Sequence, residues 1–146
     1  MTFENFIKGR LVSFVLDETV CDPSLITQLA VAQCLANRVA AGWCGGDWLS
    51  VIDHACEVTG TIYANRAVIN PRDAQFRDLL RRIDDVYYGN AESMISAPSG
   101  DGTDTSDPLY YCMGNTINRQ WFTDTILSDP EAHRMVAKVG ALMFFM

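Results

Sequence analysis

The segment from Asp22 to Gly46 constrains the fold of this 146-residue chain more than any other. Asp22-Pro23 pairs a residue that caps helices with a proline suited to the first helical position. Apolar residues then recur at helical steps, at Leu25, Leu29, Ala32, Ala36 and Val39. The many alanines allow neighbouring elements to approach closely, and Gly42 with Cys44-Gly45-Gly46 ends the pattern. We therefore predict a buried central helix against which the rest of the chain packs.

Three further helices are predicted around this central one. Residues 3 to 16 carry an apolar stripe at helical spacing, formed by Phe3, Ile7, Leu11 and Phe14. Asp47 can cap a short helix through about Cys56. A fourth helix starts at Asn70-Pro71 and stops at Gly89, and its stripe comprises Phe76, Leu79, Leu80, Ile83 and Tyr87. Its opposite face pairs Asp73 with Arg77 and Asp78 with Arg82.

The second half of the chain is less regular. We predict an extended piece at 61 to 69, a mobile loop at 96 to 107, a turn at Gly114-Asn115 and an anchor at Trp121-Phe122. Strands are predicted at 109 to 113 and 141 to 145, and a helix start near His133 after Asp129-Pro130-Glu131. The fold class is α+β and mainly helical. One domain spans 1 to 146, with about four to five helices and a small C-terminal β element.

Composition and charge narrow the classes of function. The net charge of -7 opposes tight electrostatic binding to nucleic acids and to the anionic polymers of bacterial walls. The five cysteines are an odd number without paired spacing, so no disulfide ladder or metal site is predicted, and no cofactor motif occurs. No apolar run is long enough to cross a membrane, and no signal peptide is recognised at the N-terminus. We expect neither a nucleic-acid nor a membrane partner.

Glu18 is the first candidate for chemistry. It follows Leu11 by seven residues and Phe14 by four, so on a continuing helix its carboxylate projects from the apolar stripe. Loss of hydration there would raise its pKa, and a rise from ~4.3 to ~6 corresponds to roughly 2.3 kcal/mol. Such an acid can protonate a leaving glycosidic oxygen. The alternative is a structural carboxylate at a helix end, bonded to a backbone amide or an arginine.

Several motifs occur in an order that resembles one family of enzymes. The first three are Glu18-Thr-Val-Cys-Asp22-Pro23, Gln28-Leu-Ala-Val-Ala32 and Asn37-Arg38-Val39. They resemble the opening signature of SleB/CwlJ-type cell-wall hydrolases, which are lysozyme-like lytic transglycosylases. The later segments are similar to that family's C-terminal pattern, and they are Asp107-Pro-Leu-Tyr110-Tyr111, Trp121 and Val139-Gly140 through Phe144-Phe145.

The resemblance implies a lysozyme-like fold and a peptidoglycan-cleaving glycosidase. Glu18 would be the single general acid/base, acting on the bond between N-acetylmuramic acid and N-acetylglucosamine in glycan strands. The residues implied to line or support the groove are Asn37, Tyr63, Tyr110, Tyr111 and Trp121, and core packing is the alternative for each. Two departures stand out. Residues 58 to 65 lack the family's Gln-Phe-Ser segment, and Leu142 replaces its histidine in the final strand.

Two other functions remain open. A thiol peptidase could use Cys34 or Cys56 as nucleophile and His54 or His133 as base. A catalytically inactive lysozyme-like scaffold, serving as a virion or interaction protein, would fit the acidic charge and the missing histidine.

Whether the protein is an active enzyme or an inactive scaffold, the family resemblance suggests a phage-encoded protein. We expect it in the virion, or in the host cytoplasm before delivery to the cell wall. Other virion proteins are then expected partners.

Overall fold

The computed structural model describes residues 2–20, 22–59, 74–89, 110–113 and 123–146. The fold is α+β and mainly helical, with a small antiparallel sheet near the C-terminus, as predicted. The α-helices in the described residues are α1 (Phe3–Glu18), α2 (Leu25–Ala40), α3 (Trp48–Thr59), α4 (Ala74–Arg82) and α5 (Asp84–Tyr87). The strands are β1 (Tyr110–Met113), β2 (Met135–Val139) and β3 (Leu142–Phe145).

Packing of α1 on α2 forms the centre of the core. The Thr2 side chain caps α1 by accepting a hydrogen bond from the Asn5 amide at 3.1 Å. The most deeply buried residues of the two helices are Leu11, Val12, Phe14 and Val15 in α1 and Ala30, Val31, Ala32, Cys34 and Leu35 in α2. Small alanines on α2 let the larger α1 side chains fill the space between the helices. The predicted first and central helices are thus confirmed, and α1 continues two residues further, to Glu18. Phe3, predicted to belong to the apolar stripe of α1, is exposed at the first turn of the helix.

The start of α2 differs from the prediction. Ser24, rather than Asp22, is the N-cap, and its hydroxyl accepts a hydrogen bond from the Thr27 amide at 3.4 Å. Asp22 Oδ2 instead accepts from the Thr27 hydroxyl at 2.9 Å and from the Ala141 amide at 3.0 Å. The prediction of Asp22 as the cap was wrong because a partner distant in sequence takes its carboxylate.

The chain reverses sharply after α2. Gly42 and Gly45 adopt φ values of +84° and +75°, a region that only glycine enters at little cost. Between them begins a 3₁₀ turn, Trp43–Gly46. Asp47 then caps α3, since its Oδ2 accepts from the Ser50 amide at 3.0 Å. The predicted end of the central helix and start of the third helix are confirmed.

The predicted fourth helix is divided in two. The α4 and α5 helices meet at Ile83, whose side chain is fully buried together with that of Leu79. The apolar stripe therefore faces the core as predicted. Arg82 and Asp78 form an exposed i,i+4 ion pair at 3.7 Å, also as predicted. Gly89 ends this region with φ +72°. The predicted start at Asn70-Pro71 and the Asp73–Arg77 pair lie outside the described residues.

The sheet has the order β1-β3-β2, with both pairings antiparallel. The predicted strands at 109–113 and 141–145 are confirmed to within one residue. The helix predicted to start near His133 is wrong. Asp129 closes only a single turn, in which its carbonyl accepts from the His133 amide at 2.9 Å. The chain then pairs with β3 as β2, and the backbone hydrogen bonds of that pairing replace those of a helix.

Several predicted features fall outside the described part of the chain. They are the extended piece at 61–69, the loop at 96–107, the turn at Gly114-Asn115 and the anchor at Trp121-Phe122. Within the described residues, no helix combines the length and the apolar character that a bilayer crossing requires.

The turn between β2 and β3 packs against the start of α2. Gly140 has φ +57°, and a Cβ at this position would lie 1.8 Å from Asp22 Oδ2 and 2.5 Å from Thr27 Oγ1. Glycine is therefore required for two reasons, its backbone conformation and the close approach of Asp22. We refer to Asp22, Thr27, Gly140 and Ala141 as the Asp22 junction, because these residues join the helical layer to the sheet.

A Gly140→Ala substitution tests this close approach. Gly89→Ala is the matched control, because Gly89 also has a positive φ but no described atom lies within 4 Å of the added Cβ. Both variants should lose stability from backbone strain. Gly140→Ala should lose about 1 to 3 kcal/mol more, since Asp22 must move. Urea unfolding monitored by circular dichroism measures both, and equal losses would contradict the described packing.

Candidate functional site

Glu18 is the last residue of α1. Its side chain is half-buried, and its Oε1 atom is buried. The next residue, Thr19, is fully buried, and both its amide and its hydroxyl donate to the Val15 carbonyl, at 3.0 and 2.7 Å. These bonds fix the helix end and hence the position of Glu18. The C-terminal end of the helix, where Glu18 lies, is the negative end of its dipole. No basic residue in the last turn of α1 offsets this negative end.

A short turn links Glu18 to the Asp22 junction. The Asp22 amide donates to the Thr19 carbonyl at 3.0 Å, which holds Asp22 close to the end of α1. Gln28, buried in α2, donates through Nε2 to the Pro23 carbonyl at 3.1 Å. Asp22 and Ala141 meet although 119 positions separate them in the sequence. The fold thus brings the motif around Glu18 together with the Val139-Gly140 motif near the C-terminus.

The Asp22 carboxylate is adapted to a structural role. The hydrogen bond from the Ala141 amide, and then the one from the Thr27 hydroxyl, lower the pKa of Asp22 below its ordinary value. Because the folded state lowers the pKa of this acid, its ionised form stabilises the fold at pH values above the ordinary pKa. That contribution is lost as the pH falls through the lowered pKa.

An Asp22→Asn variant tests this linkage. Asparagine keeps the size of the side chain but removes the charge and one acceptor oxygen. We expect the free energy of unfolding to fall relative to the parent protein, by an amount that is constant above about pH 5 and shrinks below about pH 4. Urea unfolding across this pH range measures the difference. A pH-independent difference would show that the charge of Asp22 plays no part.

Four aromatic rings meet beyond the other end of α2. The Trp43 ring lies 5.4 Å from that of Tyr110 and 6.2 Å from that of His54, between centroids, and both contacts are edge-on. The Tyr110 ring lies 5.3 Å from that of His133. His133 is oriented by its Nδ1, which donates to the Met146 carbonyl at 2.8 Å. We call Trp43, His54, Tyr110 and His133 the aromatic cluster.

Arg38 connects the aromatic cluster to the core. It is buried in the last turn of α2, with its guanidinium carbon 5.1 Å from the Trp43 ring centroid and 5.9 Å from that of Tyr111. Such cation–π contacts hold the rings in place. Tyr111 also lies 6.0 Å from Phe144, and its hydroxyl oxygen is buried. Arg38 thus supports one ring of the cluster and the neighbouring tyrosine.

The structure brings some of the predicted groove residues together. Tyr110 and Tyr111 are half-buried neighbours on β1. Tyr110 belongs to the aromatic cluster, and Tyr111 contacts Arg38. Asn37 adjoins Arg38 but is buried, and its Oδ1 accepts from Gln33 Nε2 at 3.0 Å. Tyr63 and Trp121 lie outside the described residues.

Trp43 and the two histidines were not predicted to share a site with the tyrosines. In the sequence, Trp43 stands next to the glycines that end α2, and His133 stands in what looked like a helix start. Their meeting depends on the pairing of β1 with β3 and on the turn that follows α2. The one local signal was an aromatic residue directly after Gly42, within the turn that ends α2.

The Asp22 junction and the aromatic cluster lie towards opposite ends of α2. At a rise of about 1.5 Å per residue, Thr27 and Arg38 are roughly 16 Å apart along the helix axis. Glu18 is held near the first end, and Trp43 follows the second. A ligand that contacted both would have to be an extended molecule that follows α2 and the sheet.

The thiol peptidase hypothesis is not supported for Cys34. This residue is fully buried in α2, and burial raises the pKa of its thiol to about 11. A thiol in that state is a poor nucleophile at neutral pH. Cys56 is also buried, whereas Cys44 is exposed. Within the described part of the chain, no group of three or more His, Cys, Asp or Glu side chains could hold a metal ion.

Alkylation of the native protein should distinguish these cysteines. Treatment with iodoacetamide at neutral pH should modify Cys44 rapidly, because its thiol is exposed. Cys34 should be modified only after denaturation. Peptide mass spectrometry reads each site separately, and the urea-unfolded protein is the control for full reactivity. Rapid native labelling of Cys34 would contradict its burial.

Comparison with known proteins adds no relative. No protein-family model matches this chain, and no curated protein and no solved structure is significantly similar to it. The case for a function therefore depends on the geometry of Glu18, the Asp22 junction and the aromatic cluster.

Proposed function

We propose that the protein is a peptidoglycan-cleaving glycosidase of the lytic transglycosylase type, with Glu18 as its general acid/base. The substrate would be the bond between N-acetylmuramic acid and N-acetylglucosamine. A phage particle or an infected host cell is the proposed setting. The observation that carries the proposal is the burial of a Glu18 carboxylate oxygen at the end of α1, one turn from the Asp22 junction.

Two features of the Glu18 position support its proposed role as an acid. Burial removes water from the carboxylate, and the nearby C-terminal end of α1 places partial negative charge beside it. A protonated carboxyl group near neutral pH is what glycoside cleavage requires of its acid. Glu18 can therefore donate its proton to the glycosidic oxygen as the bond to the sugar breaks.

The same residue can complete the reaction. After donating its proton, the Glu18 carboxylate can accept one from a hydroxyl of the N-acetylmuramic acid ring. That hydroxyl attacks the anomeric carbon of its own ring, the bond to the leaving sugar oxygen breaks, and an anhydro sugar forms. The proton given to the leaving sugar and the proton taken from the hydroxyl balance. No second carboxylate has to act as a nucleophile.

The hydrogen bonds that Asp22 accepts are consistent with a mechanism that uses a single catalytic carboxyl group. Asp22 is the described carboxylate fixed by the turn that follows Glu18, and it already accepts hydrogen bonds from Thr27 and Ala141. It therefore serves the fold rather than the substrate. Mechanisms that use two carboxyl groups need both of them to face the cleaved bond. A mechanism in which the substrate supplies its own hydroxyl needs only Glu18.

The Glu18→Gln variant tests this proposal. Glutamine is similar in size but cannot transfer a proton, so muropeptide release should fall about a hundred- to ten-thousandfold. Glu57→Gln makes the same chemical change at an exposed position on α3 and should release muropeptides at the parental rate. Purified peptidoglycan digested by each protein and analysed by mass spectrometry provides the measurement, with anhydro ends as the expected product.

Two results would contradict the proposal. Release that is equal in the parent protein and in Glu18→Gln would remove Glu18 from the reaction. No release by the parent protein between about pH 5 and 8 would instead favour the non-catalytic scaffold, since a carboxyl acid/base operates in that range.

A further inference from the structure

Trp43 occupies an unusual position for a residue of the core. Its neighbour Cys44 has φ +52°, a conformation that residues with side chains rarely adopt. The Cys44 side chain is exposed, so its own packing does not explain this strain. The strained turn does place Trp43 over Arg38 and beside Tyr110 and His54. Backbone strain of this kind is often found at ligand sites.

The surroundings of Trp43 match the chemistry of sugar recognition. The indole is half-buried, so part of the ring remains accessible in addition to the face that Arg38 contacts. A sugar ring presents polarised C–H groups that can stack on an aromatic face. Imidazole and phenol groups at the edges can exchange hydrogen bonds with hydroxyl and acetamido groups. His54 and Tyr110 supply such groups next to Trp43.

We propose that Trp43 is the platform of a remote sugar subsite, which binds an N-acetylated hexosamine of the glycan strand away from the cleaved bond. This inference rests on the proposed function, because it assumes a polymeric glycan substrate. The roughly 16 Å between the two ends of α2 separates the subsite from the Glu18 region. A long glycan can reach both regions, whereas a short one contacts only one. Binding energy from such remote contacts supports catalysis on long substrates.

Trp48 provides a matched control within the same chain. It is also half-buried and packs against the core, but its ring stacks on Tyr87 at 5.2 Å with an interplanar angle of 22°. Tyr87 in turn lies 5.6 Å from the ammonium group of Lys8, which pairs with Asp84 at 3.0 Å. Trp48 therefore belongs to a separate cluster that joins α1 to α5.

The experiment measures binding of N-acetylglucosamine oligomers by isothermal titration calorimetry. All proteins carry Glu18→Gln to prevent turnover, and one short and one long oligomer are compared. Trp43→Leu keeps an apolar side chain but removes the ring, and it should weaken binding of the long oligomer about three- to tenfold. Trp43→Phe should retain most of the affinity. Trp48→Leu should bind as tightly as the protein that carries Glu18→Gln alone. Circular dichroism verifies that each variant is folded.

The subsite would be overturned if Trp43→Leu bound the long oligomer as tightly as the protein with Glu18→Gln alone. It would also be overturned if Trp48→Leu lost as much affinity as Trp43→Leu. The proposed function can fail independently. If the long oligomer binds through Trp43 but the protein with an intact Glu18 releases no muropeptides, the subsite stands and the catalytic proposal falls. If muropeptides are released and Trp43→Leu binds normally, the catalytic proposal stands and the subsite falls.

Discussion

The packing of the helices against the sheet depends on the hydrogen bonds that the Asp22 carboxylate accepts. The carboxylate receives hydrogen bonds from the start of α2 and from the turn between β2 and β3, and it lies one turn beyond Glu18. Its close approach to Gly140 leaves no room for a Cβ there. The sheet is thereby held along α2. This placement brings Tyr111 to Arg38 in the last turn of the helix and Tyr110 to Trp43 in the turn that follows.

Helix α2 separates two chemically different regions. At its start, hydrogen-bonded polar groups surround the end of α1, where the partly buried Glu18 could act as an acid. At its end, aromatic rings and Arg38 form a surface suited to stacking rather than to proton transfer. A polymeric glycan that follows α2 would use both regions, one for reaction and one for binding. This division explains why a single carboxyl group and several aromatic residues could make up a complete site.

Local sequence patterns predicted the helices well but their buried faces only in part. Phe3 of the predicted α1 stripe is exposed, and in α2 the predicted Leu25 and Leu29 are partly buried whereas Val31 and Leu35 are fully buried. Capping by Asp47 was predictable, since its partner Ser50 is three residues away. The role of Asp22 was not, because its decisive partner, Ala141, lies far along the chain. For the same reason β2 was missed: the turn at Asp129 resembles a helix start, and only pairing with β3 makes the next segment a strand. The role of Trp43 was not predictable from local sequence either, because its ring partners come from β1 and α3.

The central claim is that Glu18 faces a sugar bond in a glycan that extends along α2. A crystal structure of the Glu18→Gln variant with a long N-acetylglucosamine oligomer tests this most directly. We predict a glycosidic oxygen within about 3 Å of the side-chain amide at position 18, which is hydrogen-bond distance. An oligomer bound elsewhere on the protein, with position 18 remote from every glycosidic oxygen, would contradict the account.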